Sequence, residues 1–301
     1  MSNRWWIYQK ERFNLFQYVP LIAGFSFCAV SYSSHIRGDG NINWYAVLIA
    51  FISTLAWFML LRIADEHKDY EDDLKYRPYR PVQRGLVKLS ELRNIGIFLG
   101  LVQIILASIY EIKLLIPLGI VYIWFTLMSL EFGIPKWLKA HPTIYLISHM
   151  VITPLIDGYG TCCDWVPSGG VPIIPIVIFM LSSFCDGTTL EVGRKIRCED
   201  DEEFGVDSYT HLWGIKGAMQ AWIFCMTISF ISTCAAGFQV GVGKVITAIL
   251  LVLYLYAIFM CIRFVKKPIR KYAKGFETFS GVWMLTMYFS LGLLPLVMGK
   301  F

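Results

Sequence analysis

The sequence is short of charge. Asp, Glu, Lys and Arg make up 16% of its 301 residues and hydrophobic residues 56%, whereas soluble domains carry roughly a quarter charged residues. A water-soluble globule with an ordinary surface is excluded, and a mean hydropathy of +0.56 makes lipid the solvent for most of the chain. Histidine is scarce too, at five, and the eight cysteines form no CxxC pair and have no histidine beside them, so no spacing suggests a zinc site. Cys28, Cys185, Cys225, Cys234 and Cys261 sit inside apolar runs and read as small buried hydrophobes. Cys162 and Cys163 fall in an expected outer loop, where an oxidising environment would permit a disulfide that sequence does not itself specify. Gly241-Val-Gly-Lys244 lacks phosphate-loop spacing. No small-residue cleavage site follows the first apolar run, so that run is expected to remain as a span.

Long apolar runs are what the sequence does have. They cover 16–34, 44–64, 92–110, 114–130, 143–160, 172–185, 218–240, 245–262 and 276–298, most of them near the roughly 20 residues that cross a bilayer. This predicts an all-α integral membrane protein, about nine transmembrane helices in one domain over 1–301. The sixth run is short, with Pro172 and Pro175 near its start, and is expected to borrow residues from the motif after it. The net charge of +5 is a matter of membrane side, not of nucleic acid. Of the 27 lysines and arginines, only Arg37, Lys113, Lys244 and Lys300 fall outside the segments that alternate onto one face. That bias places the N-terminus and the basic loops in the cytoplasm and the C-terminus opposite. Two of the inner loops, about 62–93 and 186–217, are long and mix both charge signs. Four spans separate them, which suggests two related four-helix halves with a ninth helix added.

The first loop reads Asp65-Glu66-His-Lys-Asp69-Tyr-Glu-Asp72-Asp73, followed by Arg77, Arg80-Pro81 and Arg84. If the second span continues as a helix, Asp65, Asp69 and Asp72 or Asp73 recur at about i, i+4 and i+7/8 and share one stripe. Like charges in a stripe repel unless cations occupy it, and oxygen-only ligands favour a hard ion such as Mg²⁺. The bland alternative is a solvated acidic face partnered by Lys68, Lys75 and Arg77. Against it stands the position of the run, directly at the end of an apolar span.

The second loop reads Asp186-Gly-Thr-Thr-Leu-Glu191-Val-Gly-Arg194-Lys195-Ile-Arg197-Cys-Glu-Asp200-Asp201, and ends Phe204-Gly205-Val206-Asp207-Ser208-Tyr209. Glu191 and Lys195 are spaced for a helical ion pair. In the functional reading, the acids serve metal and the bases serve a departing diphosphate, whose growing charge Arg, Lys and metal ions stabilise.

Asp65-Glu66-x-x-Asp69-x-x-x-Asp73 with Arg80-Pro81 resembles the Asn-Asp-x-x-Asp-x-x-x-Asp…Arg-Pro signature of the UbiA superfamily of intramembrane prenyltransferases. The second loop is similar to that superfamily's second Asp-rich motif, and the resemblance covers essentially the whole chain. It implies a UbiA-like bundle around a central cavity, with a Mg²⁺-bound isoprenyl diphosphate at the cytoplasmic end. Carried onto this sequence, it implies Asp65, Asp69 and Asp73 as metal ligands, with Glu191, Asp200 and Asp201 from the second motif. Arg77, Arg80, Lys195 and Arg197 are the implied diphosphate contacts, and Asp65, Asp69 and Lys195 the implied catalytic set. Asp65-Glu66 stands where the family has Asn-Asp, and Glu191 where it has Asp.

Trp57, Phe58, Tyr122, Trp124, Phe125, Tyr145, Trp222, Tyr254, Trp283 and Tyr288 lie in the runs, either as packing or as a wall for an allyl cation. His149 is a candidate acid or base within the fifth run, and Asp157, nearer its outer end, a partner in a helix–helix hydrogen bond. The leading expectation is a Mg²⁺-dependent prenyltransferase that takes a geranyl to geranylgeranyl diphosphate and an aromatic or quinone-precursor acceptor. A UbiA-type terpene cyclase is the alternative, and a lipid transporter or lipid-binding protein the third reading.

Overall fold

The computed structural model describes residues 3–202 and 208–298, and every regular element among them is helical. Helix α1 (Arg4–Arg12) is capped by Asn3, whose side chain accepts from Trp5 N–H. Helices α2 (Leu15–Ile36) and α3 (Trp44–Lys68) start the same way on Asn14 and Asn43, side-chain oxygens satisfying N–H groups that a helix leaves unpaired. Then come α4 (Tyr70–Tyr76), α5 (Leu89–Tyr110), α6 (Leu115–Ser129), α7 (Pro135–Ala140), α8 (Pro142–Met150), α9 (Ile152–Trp165), α10 (Ile173–Gly193), α11 (Tyr209–Gln239), α12 (Gly243–Lys266), α13 (Arg270–Gly292) and α14 (Leu294–Val297).

Seven helical segments among the described residues are long and apolar enough to cross a membrane. The expected fifth span is divided between α8 and α9 at Val151. Pro154 has no N–H for the Met150 carbonyl, so the ladder opens there. The expected ninth, α13, carries Arg270, Lys271, Lys274 and Glu277 in its first half. Exposed Ile97, Leu101 and Ile105 on α5, Ile116, Ile120 and Ile123 on α6, and Val252, Leu255 and Phe259 on α12 form the outer surface. Such a belt is tolerated only in lipid; the chain is an integral multi-pass membrane protein.

Two buried clusters hold the bundle. One joins Val30 of α2, Ala46 and Trp57 of α3, Ala107 of α5, Leu118 and Val121 of α6, and Ile152 and Tyr159 of α9. The other joins Phe25, Cys28 and Tyr32 of α2 to α10, α11, α12 and α13. Packing therefore does not follow the sequential halves: α9 joins the first group and α2 lies between both.

The loop boundaries shift with the helices. Helix α10 runs on through Asp186 and Glu191 to Gly193, as its short apolar run requires, and α11 starts at Tyr209. The second loop is thus 194–208, not 186–217, and its 203–207 stretch, with Phe204-Gly205-Val206-Asp207, lies outside the described residues. Helix α3 continues through Asp65 but stops before Asp69 (φ −93°, ψ 9°), which links it to α4. The acidic stripe is interrupted there. Cys162 and Cys163 lie on α9, not in a loop, as buried free thiols.

Gly292 shows how closely α13 meets α2: a Cβ there would stand 2.5 Å from Cys28 Cα. Gly292→Ala should cost about 1–3 kcal/mol by overpacking, read as a lower midpoint in a thermal melt in detergent, with Gly281→Ala, which meets nothing within 4 Å, as the control.

Candidate active site at the charged end of the bundle

Asp65 occupies the last turn of α3, with Arg62 its ion-pair partner at 3.6 Å. Four residues on, Asp69 donates its N–H to the Asp65 carbonyl at 2.9 Å, while its carboxylate carries no hydrogen bond or ion pair among the described residues. Burial pushes the Asp69 carboxyl above the usual carboxylate range; Lys68 opposes the shift, and Asp65 and Asp73 add to it.

The next acids are committed differently. Asp73 is buried on α4 and paired with Arg77 at 3.1 Å and with Arg80. The turn after α4 makes this possible: Pro78 and Pro81 end the helix and fold Arg80 back over Asp73. Glu66, fully buried, pairs with Arg12 of α1. Thus Arg77 and Arg80, read as diphosphate contacts, are held by Asp73.

Across the site, Glu191 accepts from Arg194 at 2.5 Å and from Lys195 at 2.9 Å. The Lys195 ammonium lies 5.5 Å from the Tyr209 ring centroid. Arg194 is within electrostatic reach of Asp65 and Tyr18, so the ends of α3 and α10 face each other. Asp200 and Asp201 sit apart on the turn Glu199–Asp201. Asp201 pairs with Arg270 of α13 at 3.2 Å, and Arg197 donates to the Asp201 carbonyl. Both residues border a cavity of about 210 Å³ beside Arg270 and Lys274.

Sequence reasoning missed a polar chain on the facing wall. Lys68 donates to Tyr145 OH at 2.8 Å, and Tyr145 OH donates to Glu131 at 3.3 Å. Glu131 and Phe132 both have positive φ, 48° and 54°, a strained turn for residues with side chains. No local pattern announces that turn. His149 stacks on Tyr145 with centroids 4.0 Å apart. Its Nδ1 faces the Tyr145 carbonyl at 2.9 Å; a carbonyl only accepts, so Nδ1 carries the proton and the unpartnered Nε2 is the lone-pair nitrogen.

The intramembrane acids make helix contacts. Asp157 accepts from Ser183 and Tyr288, the helix–helix role expected for it. Asp186 accepts from Ser229 at 2.5 Å and Trp283 at 3.0 Å. Most of the aromatic set packs between helices: Trp57 on Tyr122 and Phe125, Trp222 on Phe276. Trp283 and Tyr288 bond the intramembrane acids, and Tyr145 meets Lys68.

Among the described residues, no three His, Cys, Asp or Glu side chains cluster to hold an ion by themselves. Asp65 and Asp69 nonetheless fit a hard cation such as Mg²⁺, which takes one or two protein carboxylates and completes its shell with water and substrate phosphate. Asp73 and Glu191 each already answer two bases.

The raised Asp69 pKa has a stability consequence. Ionising this half-buried carboxyl is harder in the folded protein than in the unfolded chain, so its contribution is present at low pH and lost as pH rises through the folded value. At neutral pH in EDTA, Asp69→Asn should therefore raise the melting temperature, and the gain should shrink on acidification. A variant melting at or below wild type at neutral pH would contradict this.

A family model described as the UbiA prenyltransferase family matches residues 36–287. No curated protein matches the chain. Solved structures with the same fold include a digeranylgeranylglyceryl phosphate synthase, with TM-score 0.65 and 18% identity over 93% of this chain and 95% of that one. A UbiA homologue from Aeropyrum pernix K1 gives TM-score 0.66 and 14% identity over 93% and 98%. One from Archaeoglobus fulgidus, bound to DMAPP and Mg²⁺, gives 0.59 and 14% over the same shares.

Proposed function

The chain belongs to the UbiA prenyltransferase family, and from that premise we propose that it ionises an allylic isoprenyl diphosphate and transfers the prenyl group to an acceptor taken from the membrane. The observation that carries this reading is the end of α3, where Asp65 has only a long contact to Arg62 and Asp69 has no ion pair among the described residues, with Arg194 of the Glu191–Arg194–Lys195 group within electrostatic reach of Asp65. A diphosphate needs cations on both flanks: Arg194 and Lys195 give one, and a metal ion held by Asp65 and Asp69 would give the other.

In this reading Asp65 and Asp69 hold Mg²⁺. The ion, when bound, neutralises the diphosphate oxygens and lowers the barrier to C–O cleavage, in line with the Archaeoglobus fulgidus homologue bound to DMAPP and Mg²⁺. Arg194 and Lys195 take charge on the far side as the bond breaks, and Glu191 fixes their direction. Asp73 does the same for Arg77 and Arg80. Arg197, Asp200 and Asp201 lie beside Arg270, on the turn that Asp201 ties to α13. Tyr145, stacked on His149 and donated to by Lys68, presents an aromatic face to the carbocation. His149 Nε2 is positioned to accept the proton that the acceptor releases. The strong basic bias of the segments on this side supports a cytoplasmic position for this end.

Incubating purified protein with Mg²⁺ and geranyl, farnesyl or geranylgeranyl diphosphate, with and without a phenolic or quinone-precursor acceptor, tests the proposal. Diphosphate release that requires the acceptor is the expected outcome. Release with a cyclic hydrocarbon or alcohol in its absence would assign the chain to cyclisation, and no release under any condition would remove the enzyme reading. Asp69→Ala should abolish turnover, and Lys195→Gln should raise the diphosphate KM roughly tenfold, the equivalent of about 1.4 kcal/mol.

A further inference from the structure

Helix α12 leaves the apolar belt at its last turn. Phe259, Ile262 and Val265 are still on the exposed apolar surface, and Lys266 and Lys267 follow directly. Their ammonium groups therefore stand at headgroup depth, where a lysine stem lies along apolar surface and its charge reaches water. Pro268 turns the chain, and α13 begins at Arg270. Arg263 braces this corner: its guanidinium stacks on the Tyr272 ring at 3.9 Å and donates to Tyr272 OH at 2.5 Å. From Arg263 to Lys274 the chain carries six bases and no acid.

These bases are unequally engaged. Arg263 is stacked on Tyr272, and Arg270 pairs with Asp201 at 3.2 Å. Lys266, Lys267, Lys271 and Lys274 are exposed and have no ion pair among the described residues. Membrane orientation alone would gather bases on this side, but elsewhere on it they are met by acids: Arg62 by Asp65, Arg84 by Glu11, Lys139 by Asp72. On α13 the opposite holds, for Arg270 and Lys274 stand one helical turn apart as like charges, which repel, and the first turn holds no acid. An anion would relieve that repulsion. A zwitterionic headgroup brings its own cation and relieves less, whereas a phospholipid of net negative charge matches both the charge and the depth of the lysines.

We propose that the corner between α12 and α13 docks anionic phospholipids, their phosphates on Lys266, Lys267, Lys271 and Lys274 and their acyl chains along Phe259, Ile262 and Val265. The surface uses none of the residues assigned to metal or diphosphate, so it is tested without turnover. With the full chain reconstituted in phosphatidylcholine, spin-labelled phosphatidylglycerol should be held in the motionally restricted lipid shell about fivefold over spin-labelled phosphatidylcholine, what one lysine near the surface contributes. The preference should fall as salt rises. Lys266→Gln/Lys267→Gln/Lys271→Gln/Lys274→Gln should bring the ratio close to one, and the same four positions changed to Arg should keep it. Lys10→Gln/Lys88→Gln/Lys136→Gln/Lys139→Gln, an equal loss of charge elsewhere on this side, should leave most of it. Should the fourfold Gln variant fail to fold, Lys271→Gln/Lys274→Gln should still lower the ratio. Equal retention of the two lipids, an equal loss in the control variant, an unchanged ratio in Lys271→Gln/Lys274→Gln, or displacement of phosphatidylglycerol by inorganic phosphate at matched ionic strength would overturn the proposal.

Discussion

Matching of charge at the end of the bundle is the constraint on which the rest of this structure depends. A carboxylate near a lipid-embedded helix end is costly unless a base or a strong donor meets it. Glu66 has Arg12, Asp73 has Arg77 and Arg80, Glu191 has Arg194 and Lys195, and Asp201 has Arg270. These pairs also join elements distant in sequence: α1 to α3, and the second loop to α13. What the pairing leaves over is informative. Asp65 has only a long contact to Arg62, and Asp69, just past the end of α3, has no ion pair among the described residues.

Ligand affinity and fold stability are therefore opposed at Asp69. Its half-buried carboxyl is held uncharged more readily than in water, which burdens the empty site and favours a cation that arrives to relieve it. Prenyl transfer asks for that arrangement: a site that is poor at being empty and good at holding metal and diphosphate together. The Glu131–Phe132 turn carries backbone strain and presents Glu131 to Tyr145, the residue proposed to face the carbocation.

Much of this was legible in the sequence. Apolar runs marked most of the spans, because a bilayer admits little else between its faces. The acids after the second span stood out because charge there is rare. Less was legible where long-range packing decides. Spacing put Asp73 in line with Asp65 and Asp69, yet the break at Asp69 and the proline turn gave Asp73 to Arg77 and Arg80. The run of acids at Glu199–Asp201 looked equivalent to the first motif, but Arg270, about seventy residues on, draws Asp201 aside. Lys68 read as a surface partner, because nothing local reveals that Tyr145 lies within hydrogen-bond reach. The span count was blurred for a physical reason as well, since Pro154 divides one helix and the start of α13 is polar.

The central claim is that Asp65 and Asp69 bind an isoprenyl diphosphate through Mg²⁺ against Arg194 and Lys195. Calorimetric titration of purified protein with a non-hydrolysable isoprenyl thiodiphosphate tests it without reference to acceptor or product. Binding that needs Mg²⁺, disappears in EDTA and weakens by about tenfold or more in Asp69→Asn is the predicted result. Equal binding with Mg²⁺ and with EDTA, or an Asp69→Asn variant that binds as wild type does, would contradict it.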